Sequence, residues 1–155
     1  MAVIVVGVDH SEGAKAALRF ALEEATLRQA TLRVVHAWQY AYIGATGFEG
    51  SYPALGGDIK ELRDLAERDL DATLQEAIPE TGAIEIERRV VEDRPAAALV
   101  DESRGADMIV VGSRGHGAIA SAVIGSVSRG VLHESRRPVL IVRGAHVAAD
   151  VGVPA

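Results

Sequence analysis

Apolar and polar positions follow two periods along this chain, and the two periods alternate in a regular order. Short runs rich in valine and isoleucine predict strands, and the first run, which has no polar alternation, is typical of a strand buried on both faces. Longer segments with an apolar residue at every third or fourth position predict helices that pack on one side. Strands and helices alternate to the end of the pattern, which predicts a parallel sheet with helices on both faces.

Five strands and four helices are predicted. Ser11 and Asp58 are residue types that cap helix N-termini, and Pro95 suits the first turn of another helix. The segment 39–57 has five glycines and no apolar period, so it is interpreted as a loop. The predicted strands are 2–9, 31–38, 83–91, 107–111 and 138–143, and the predicted helices run from 11 to about 28, from 58 through an apolar series ending at 78, from 94 to 103 and from 126 to 134.

The predicted fold is one α/β domain over residues 1–143, an open five-stranded parallel sheet of the Rossmann-like type, with a tail at 144–155. A strand order of 3-2-1-4-5 reverses the winding direction between the first and fourth strands. Ligands of such sheets bind at this reversal, beyond the carboxyl ends of the strands. The two strands end at Asp9 and Gly112, so we expect a site between these residues.

Composition narrows the function classes. Of the 155 residues, 48% are apolar, and no run approaches the length of a membrane span. The net charge of −6, with acidic residues spread along the chain, argues against a nucleic-acid partner. The absence of cysteine excludes disulfides, thiolate zinc sites and cysteine nucleophiles. The N-terminus lacks the basic flank of a signal peptide, so we expect a cytoplasmic protein.

A glycine-rich loop follows the fourth strand with the spacing G-x2-G-x9-G-[ST], formed by Gly112, Gly115 and Gly125-Ser126. Glycines allow a backbone to approach an anion closely, and Ser126, as the cap of the next helix, offers a hydroxyl and free backbone N–H groups to phosphate. The pattern predicts a nucleotide-phosphate site. The alternative is a loop whose glycines only provide room.

Several enzyme signatures are absent from the sequence. No G-K-[ST] follows the loop, so it is not a P-loop, and no G-x-S-x-G nucleophile turn occurs. No two of the five histidines have metal-ligand spacing with a third ligand nearby. Arg114 is favoured as a phosphate partner, and His116 is a candidate donor within the loop. We therefore expect nucleotide binding with slow hydrolysis at best, no catalytic residue and no metal site.

The chain resembles the ATP-binding type of the universal stress protein family. The similarity extends from Val3 to Arg143 and rests on GVDHS, HAW, DMIVVGSRGHG, IGSVSRGVL and RPVLIVR, together with the complete glycine motif. It implies an adenine nucleotide α-hydrolase-like fold that binds ATP, with Mg²⁺ carried by the phosphates.

The resemblance also implies the contacts of the nucleotide. Asp9 lies near the adenosine, and the backbone of His36 and Ala37 lies against the adenine. From the residues alone, Asp9 has a second possible role in capping the helix at Ser11. The remaining implied contacts are Gly7 and Val8 beside Asp9, and Gly112, Arg114, Gly115, Gly125, Ser126, Val127 and Ser128 around the ribose and phosphates, with His116 where relatives vary.

The two edges of the predicted sheet differ in charge. The third strand carries Glu85, Glu87, Arg88 and Arg89, which discourage pairing with another chain. The fifth strand carries no charge between Pro138 and Arg143, where its residues are Val139, Leu140, Ile141 and Val142. We expect a homodimer through this strand, as the resemblance also implies; the alternative is that the tail at 144–155 covers it.

The leading functional hypothesis is an ATP-binding switch or regulator with little or no catalysis, and the resemblance adds a role in stress responses with an unknown protein partner. Two alternatives stay open: a slow ATPase or nucleotidyl-transfer enzyme, and a flavin or electron-transfer module. Five of the six aromatic residues fall within 38–52. They predict either a mobile lid or partner surface, or a loop that packs on itself.

Overall fold

The computed structural model describes residues 1–41, 51–53, 58–113 and 124–144. The strands are β1 (Val3–Gly7), β2 (Thr31–Ala41), β3 (Ser51–Pro53), β4 (Ile86–Glu92), β5 (Met108–Gly112) and β6 (Val139–Val142). The helices are α1 (Glu12–Arg28), α2 (Ile59–Ala77), α3 (Pro95–Glu102) and α4 (Ser126–Glu134). None of the described helices is both long enough and apolar enough to cross a membrane.

The main sheet has the order β4-β2-β1-β5-β6, and all of its strand pairs are parallel. This confirms the predicted order 3-2-1-4-5. Alternate residues of β1 face opposite layers: Ile4 and Val6 pack with α1 and α2, whereas Val5 packs with α3 and α4. The helices therefore cover both faces of the sheet.

The predicted loop at 39–57 contains strand structure at 39–41 and at 51–53, so that prediction is wrong for these positions. Strand β2 continues to Ala41, and β3 pairs with its extension in parallel, with Gln39 opposite Ser51 and Ala41 opposite Pro53. Pairing between distant segments formed this strand, which a local glycine count does not reveal. The side chain of Trp38 is buried against Leu62 and Ala66 of α2. The lid hypothesis for the other aromatic residues concerns side chains outside the described part.

The predicted helix starts agree with the structure at α1, α2 and α3. Ser11 is the N-cap of α1, and its Oγ accepts a hydrogen bond from the Ala14 N–H at 3.1 Å. Asp58 is the N-cap of α2. Helix α3 begins with Pro95, whose fixed backbone geometry suits a first helical position.

Candidate functional site

A cleft opens at the carboxyl ends of β1 and β5, where the winding of the sheet reverses. Helix α1 leaves β1 on one face of the sheet and α4 leaves β5 on the other, so neither helix closes the space between the strands. The cleft has an empty volume of about 670 Å³, including its open mouth. Its described lining is Gly7, Val8, Asp9, Ser11, Ala14, Val35, Ala37, Pro95, Leu99, Val111, Gly112, Gly125, Ser126, Val127 and Ser128.

Asp9 lies on the rim between β1 and α1. Its Oδ1 accepts hydrogen bonds from the Ser11 N–H at 2.8 Å and from the Ser11 hydroxyl. Because Ser11 caps α1, Asp9 supports the helix start, as one of its two predicted roles required. Its other oxygen, Oδ2, has no hydrogen bond to any residue that the structure describes. Asp9 can therefore hold α1 with one oxygen and accept a hydrogen bond from a ligand with the other.

The start of α4 supplies donors to the end of the cleft beside β5. The N-cap of α4 is Gly125, and no side chain caps this helix. Ser126 is its first helical residue, so the prediction that Ser126 caps the helix is wrong. The Gly125 N–H donates a hydrogen bond to the Ser113 carbonyl at 2.7 Å, which fixes the backbone at this helix start without a side-chain cap. The first N–H groups of a helix have no acceptor within the helix, and they point out of its N-terminus.

Ser128 has a structural partner within the cleft wall. Its side chain is buried, and its hydroxyl donates a hydrogen bond to the Gly112 carbonyl at 2.5 Å. This bond joins the first turn of α4 to the end of β5. Ser128 thus positions the donors of α4, and its oxygen retains lone pairs that can accept a hydrogen bond.

Gly112 and Gly13 bring β5 and α1 into very close contact. A Cβ on Gly112 would lie 2.8 Å from both the carbonyl carbon and the carbonyl oxygen of Gly13. Those atoms belong to the first turn of α1, which is held by Ser11 and Asp9. The glycine therefore sets how near the two halves of the cleft can come to each other.

His36 lies on the other face of the sheet from the cleft. Its neighbours Val35 and Ala37 line the cleft, and side chains alternate along a strand, so the imidazole points toward α1 and α2. The ring is buried, and Nδ1 donates to the Val8 carbonyl at 3.1 Å. Burial lowers the pKa of His36, an effect larger than the opposite influence of the Val8 carbonyl. The imidazole therefore holds the end of β1 from the face of the sheet opposite the cleft.

The sequence-predicted residues separate into three groups. His36 does not line the cleft, and Arg114, Gly115 and His116 lie outside the described residues. Gly7, Val8, Asp9, Ala37, Gly112, Gly125, Ser126, Val127 and Ser128 are brought together. Pro95 and Leu99 of α3 were missed by the sequence analysis. The order of the strands could have indicated these two residues. Helix α3 leads into β5 and α4 follows β5, and in this strand order the two helices must lie on the same face of the sheet.

Three helices have their N-terminal ends at the cleft, where Ser11 caps α1, Pro95 is the first residue of α3, and Gly125 caps α4. The N-terminal end of a helix carries partial positive charge and attracts anions. The Asp9 carboxylate repels anions, so an anionic group is favoured near α4 and a neutral donor group near Asp9. Among the described residues, no cluster of three or more histidine, aspartate or glutamate side chains could hold a metal ion.

The chain is similar in sequence to known proteins of one family. The model of the universal stress protein family matches residues 1–143. Universal stress protein Rv2005c of Mycobacterium tuberculosis is 37% identical over 145 residues, which are 92% of this chain and 45% of that protein. The chain spans about half the length of the curated relatives that it matches.

Two solved structures share the fold over most of both chains. A universal stress protein in complex with cAMP has a TM-score of 0.68 and 28% identity, covering 93% of this chain and 98% of its own. The universal stress protein of Archaeoglobus fulgidus in complex with dAMP has a TM-score of 0.63 and 29% identity, covering 91% and 97%.

Proposed function

Because this chain belongs to the universal stress protein family, we propose that it binds ATP in the cleft between β1 and β5. In this proposal it acts in stress responses as a nucleotide-dependent switch or regulator with little or no catalysis. The observation that carries the proposal is the convergence of the α4 N-terminus and the Asp9 carboxylate on one cleft at the winding reversal. The similar structures with bound cAMP and dAMP support an adenine nucleotide as the ligand class.

The charges of the cleft favour one orientation of the nucleotide. The phosphates face the free N–H groups of α4, where the helix dipole is favourable, and bring Mg²⁺ with them. The ribose lies near Asp9, whose Oδ2 accepts a hydrogen bond from a hydroxyl group. The base extends toward the backbone of Ala37 at the end of β2.

The groups in the described lining of this cleft support the proposal of weak catalysis. Asp9 is the one carboxylate in the described lining, and its Oδ1 is engaged by Ser11 at the start of α1. The described lining also contains no lysine and no histidine. No group in this part of the site is therefore placed to activate water beside a γ-phosphate.

We expect ATP to bind more tightly than GTP. An apolar wall with backbone groups at the end of β2 accommodates adenine, whereas the extra polar groups of guanine lose their water there without fixed partners. Isothermal calorimetry on the full chain with ATP, GTP and dATP measures the difference, and dATP tests the ribose contact of Asp9. Equal affinity for ATP and GTP would contradict the adenine assignment.

Turnover of ATP is expected to stay far below the enzyme median of about 10 per second. Phosphate release under saturating ATP and Mg²⁺ checks this expectation. Enzyme-like rates that a single side-chain change abolishes would favour the alternative of an ATPase or nucleotidyl-transfer enzyme. A yellow chromophore in the purified protein would instead favour the flavin alternative.

A further inference from the structure

The two ends of the cleft differ in chemistry. Strand β1 lies in the middle of the cleft, between β2 on one side and β5 on the other. The β5 end is lined by Val111, the backbone of Gly112 and the first turn of α4, which supplies free N–H groups beside the side chain of Val127. The end beside β2 is formed by the apolar side chains of Val35, Ala37, Pro95 and Leu99, the last two from α3. The cleft therefore fits a ligand with one anionic end and one flat apolar end.

Leu99 lies on the inner side of the apolar end of the cleft. Its side chain lines the cleft although it is only 2% exposed, so it contributes the inner wall and not the rim. The leucine occupies the space above Gly7 at the end of β1, where a Cβ would lie 2.7 Å from Leu99 Cδ1 and 3.0 Å from Cδ2. No space remains between β1 and this side chain.

The Leu99 side chain has little room to move away from a larger ligand. Leu99 packs in one buried cluster with Val5, Val35 and Ile109 of the sheet. Helix α3 is also held against α4, because a Cβ on Gly130 would lie 2.7 Å from the Ala96 Cβ. Close-packed interiors of this kind do not yield to added volume without a cost in stability.

We propose that Leu99 is a specificity-determining residue that limits the size of the base, so that an unsubstituted purine fits and a purine with a bulky substituent does not. The inference rests on the proposed function, since it assumes that the flat end of the ligand is the base of a nucleotide. It adds α3 to the elements that select the ligand.

The experiment compares ATP with three ATP analogues that each carry one benzyl-sized group, on N6, C2 or C8. We expect the wild-type chain to bind every analogue at least tenfold more weakly than ATP. Leu99→Ala opens a cavity where the wall stood, and we expect it to recover at least tenfold in the affinity ratio of analogue to ATP for at least one of the three. Leu99→Phe, which extends the wall, is expected to weaken ATP itself at least tenfold. Calorimetry measures the affinities.

Leu70→Ala is the matched control, because Leu70 is fully buried in the layer on the other face of the sheet. It loses the same atoms, and we expect its affinity ratios to match the wild type. If Leu99→Ala does not fold, Leu99→Val makes a smaller opening in the same wall. A folded Leu99 variant with wild-type ratios for all three analogues would overturn the proposal, as would a wild type that binds every analogue as well as ATP. A wild type that binds no adenine nucleotide would instead refute the proposed function.

Discussion

Gly112→Ala is expected to lower the free energy of unfolding by about 1–3 kcal/mol, the usual cost of overpacking. The added methyl group would collide with the backbone of Gly13, 2.8 Å away, and backbone cannot rotate aside as a side chain does. Either the end of β5 or the first turn of α1 must move, and both line the cleft. We therefore also expect ATP to bind at least tenfold more weakly. Thermal unfolding with and without ATP measures both effects.

Gly144→Ala is the control for this substitution. A Cβ on Gly144 would have no atom of the described residues within 4 Å, so we expect the same chemical change to leave both stability and ATP binding unaltered. Wild-type stability in Gly112→Ala would mean that the contact between β5 and α1 relaxes without cost. Reduced stability with wild-type ATP affinity would show that the contact supports the fold and not the site.

Local sequence signals were sufficient for most elements of the fold. Ser11 and Asp58 marked helix starts because their side-chain oxygens accept a hydrogen bond from the first helical turn, a requirement that depends only on near neighbours. The alternation of strands and helices then fixed the parallel sheet, and the winding reversal located the cleft between Asp9 and Gly112. These features follow from the apolar periodicity and the helix-capping residues within single segments.

Features that depend on contacts between distant segments were not predicted. The strand β3 exists because it pairs with the extended end of β2. The close contact of Gly13 with Gly112 joins residues about a hundred positions apart in the sequence. The contact of Leu99 with Gly7 joins a helix to a strand that are similarly far apart in the sequence. The orientation of His36 depends on the register of β2, since a shift by one residue would turn its side chain into the cleft.

The two edges of the main sheet differ in charge, and for this reason we expect only one of them to bind a second copy of the chain. On β4, Glu87 pairs with Arg33 at 2.6 Å, Arg89 pairs with Glu102 at 3.4 Å, and Arg88 pairs with Asp71. These charges make the β4 edge a poor partner for another strand. Strand β6 carries no charged side chain, and its first three residues are only partly buried.

The hydrogen bonds of β6 determine how a second copy would pair with it. The carbonyls of Pro138 and Val142 accept bonds from Ile109 and Ser113, so these residues face the sheet. Backbone groups alternate in direction along a strand, and those of Val139 and Ile141 therefore point away from β5, to the side of β6 where no described strand lies. A two-fold antiparallel pairing places Val139 opposite Ile141 of the partner, with the axis at Leu140. Such an isologous contact is the commonest form of a dimer.

Ile141→Pro is expected to convert the proposed homodimer to a monomer. Proline removes the outward N–H of Ile141, which the two-fold pairing uses twice, and proline is tolerated at the open edge of a sheet. Ile141→Ala is the matched control, because it loses the same side-chain packing against the α3 and α4 layer and keeps the N–H. Light scattering at micromolar concentration measures the mass of the wild type and of both variants, and thermal unfolding checks that each is folded. A monomeric wild type would refute the dimer, and a dimeric, folded Ile141→Pro variant would show that the copies associate through another surface.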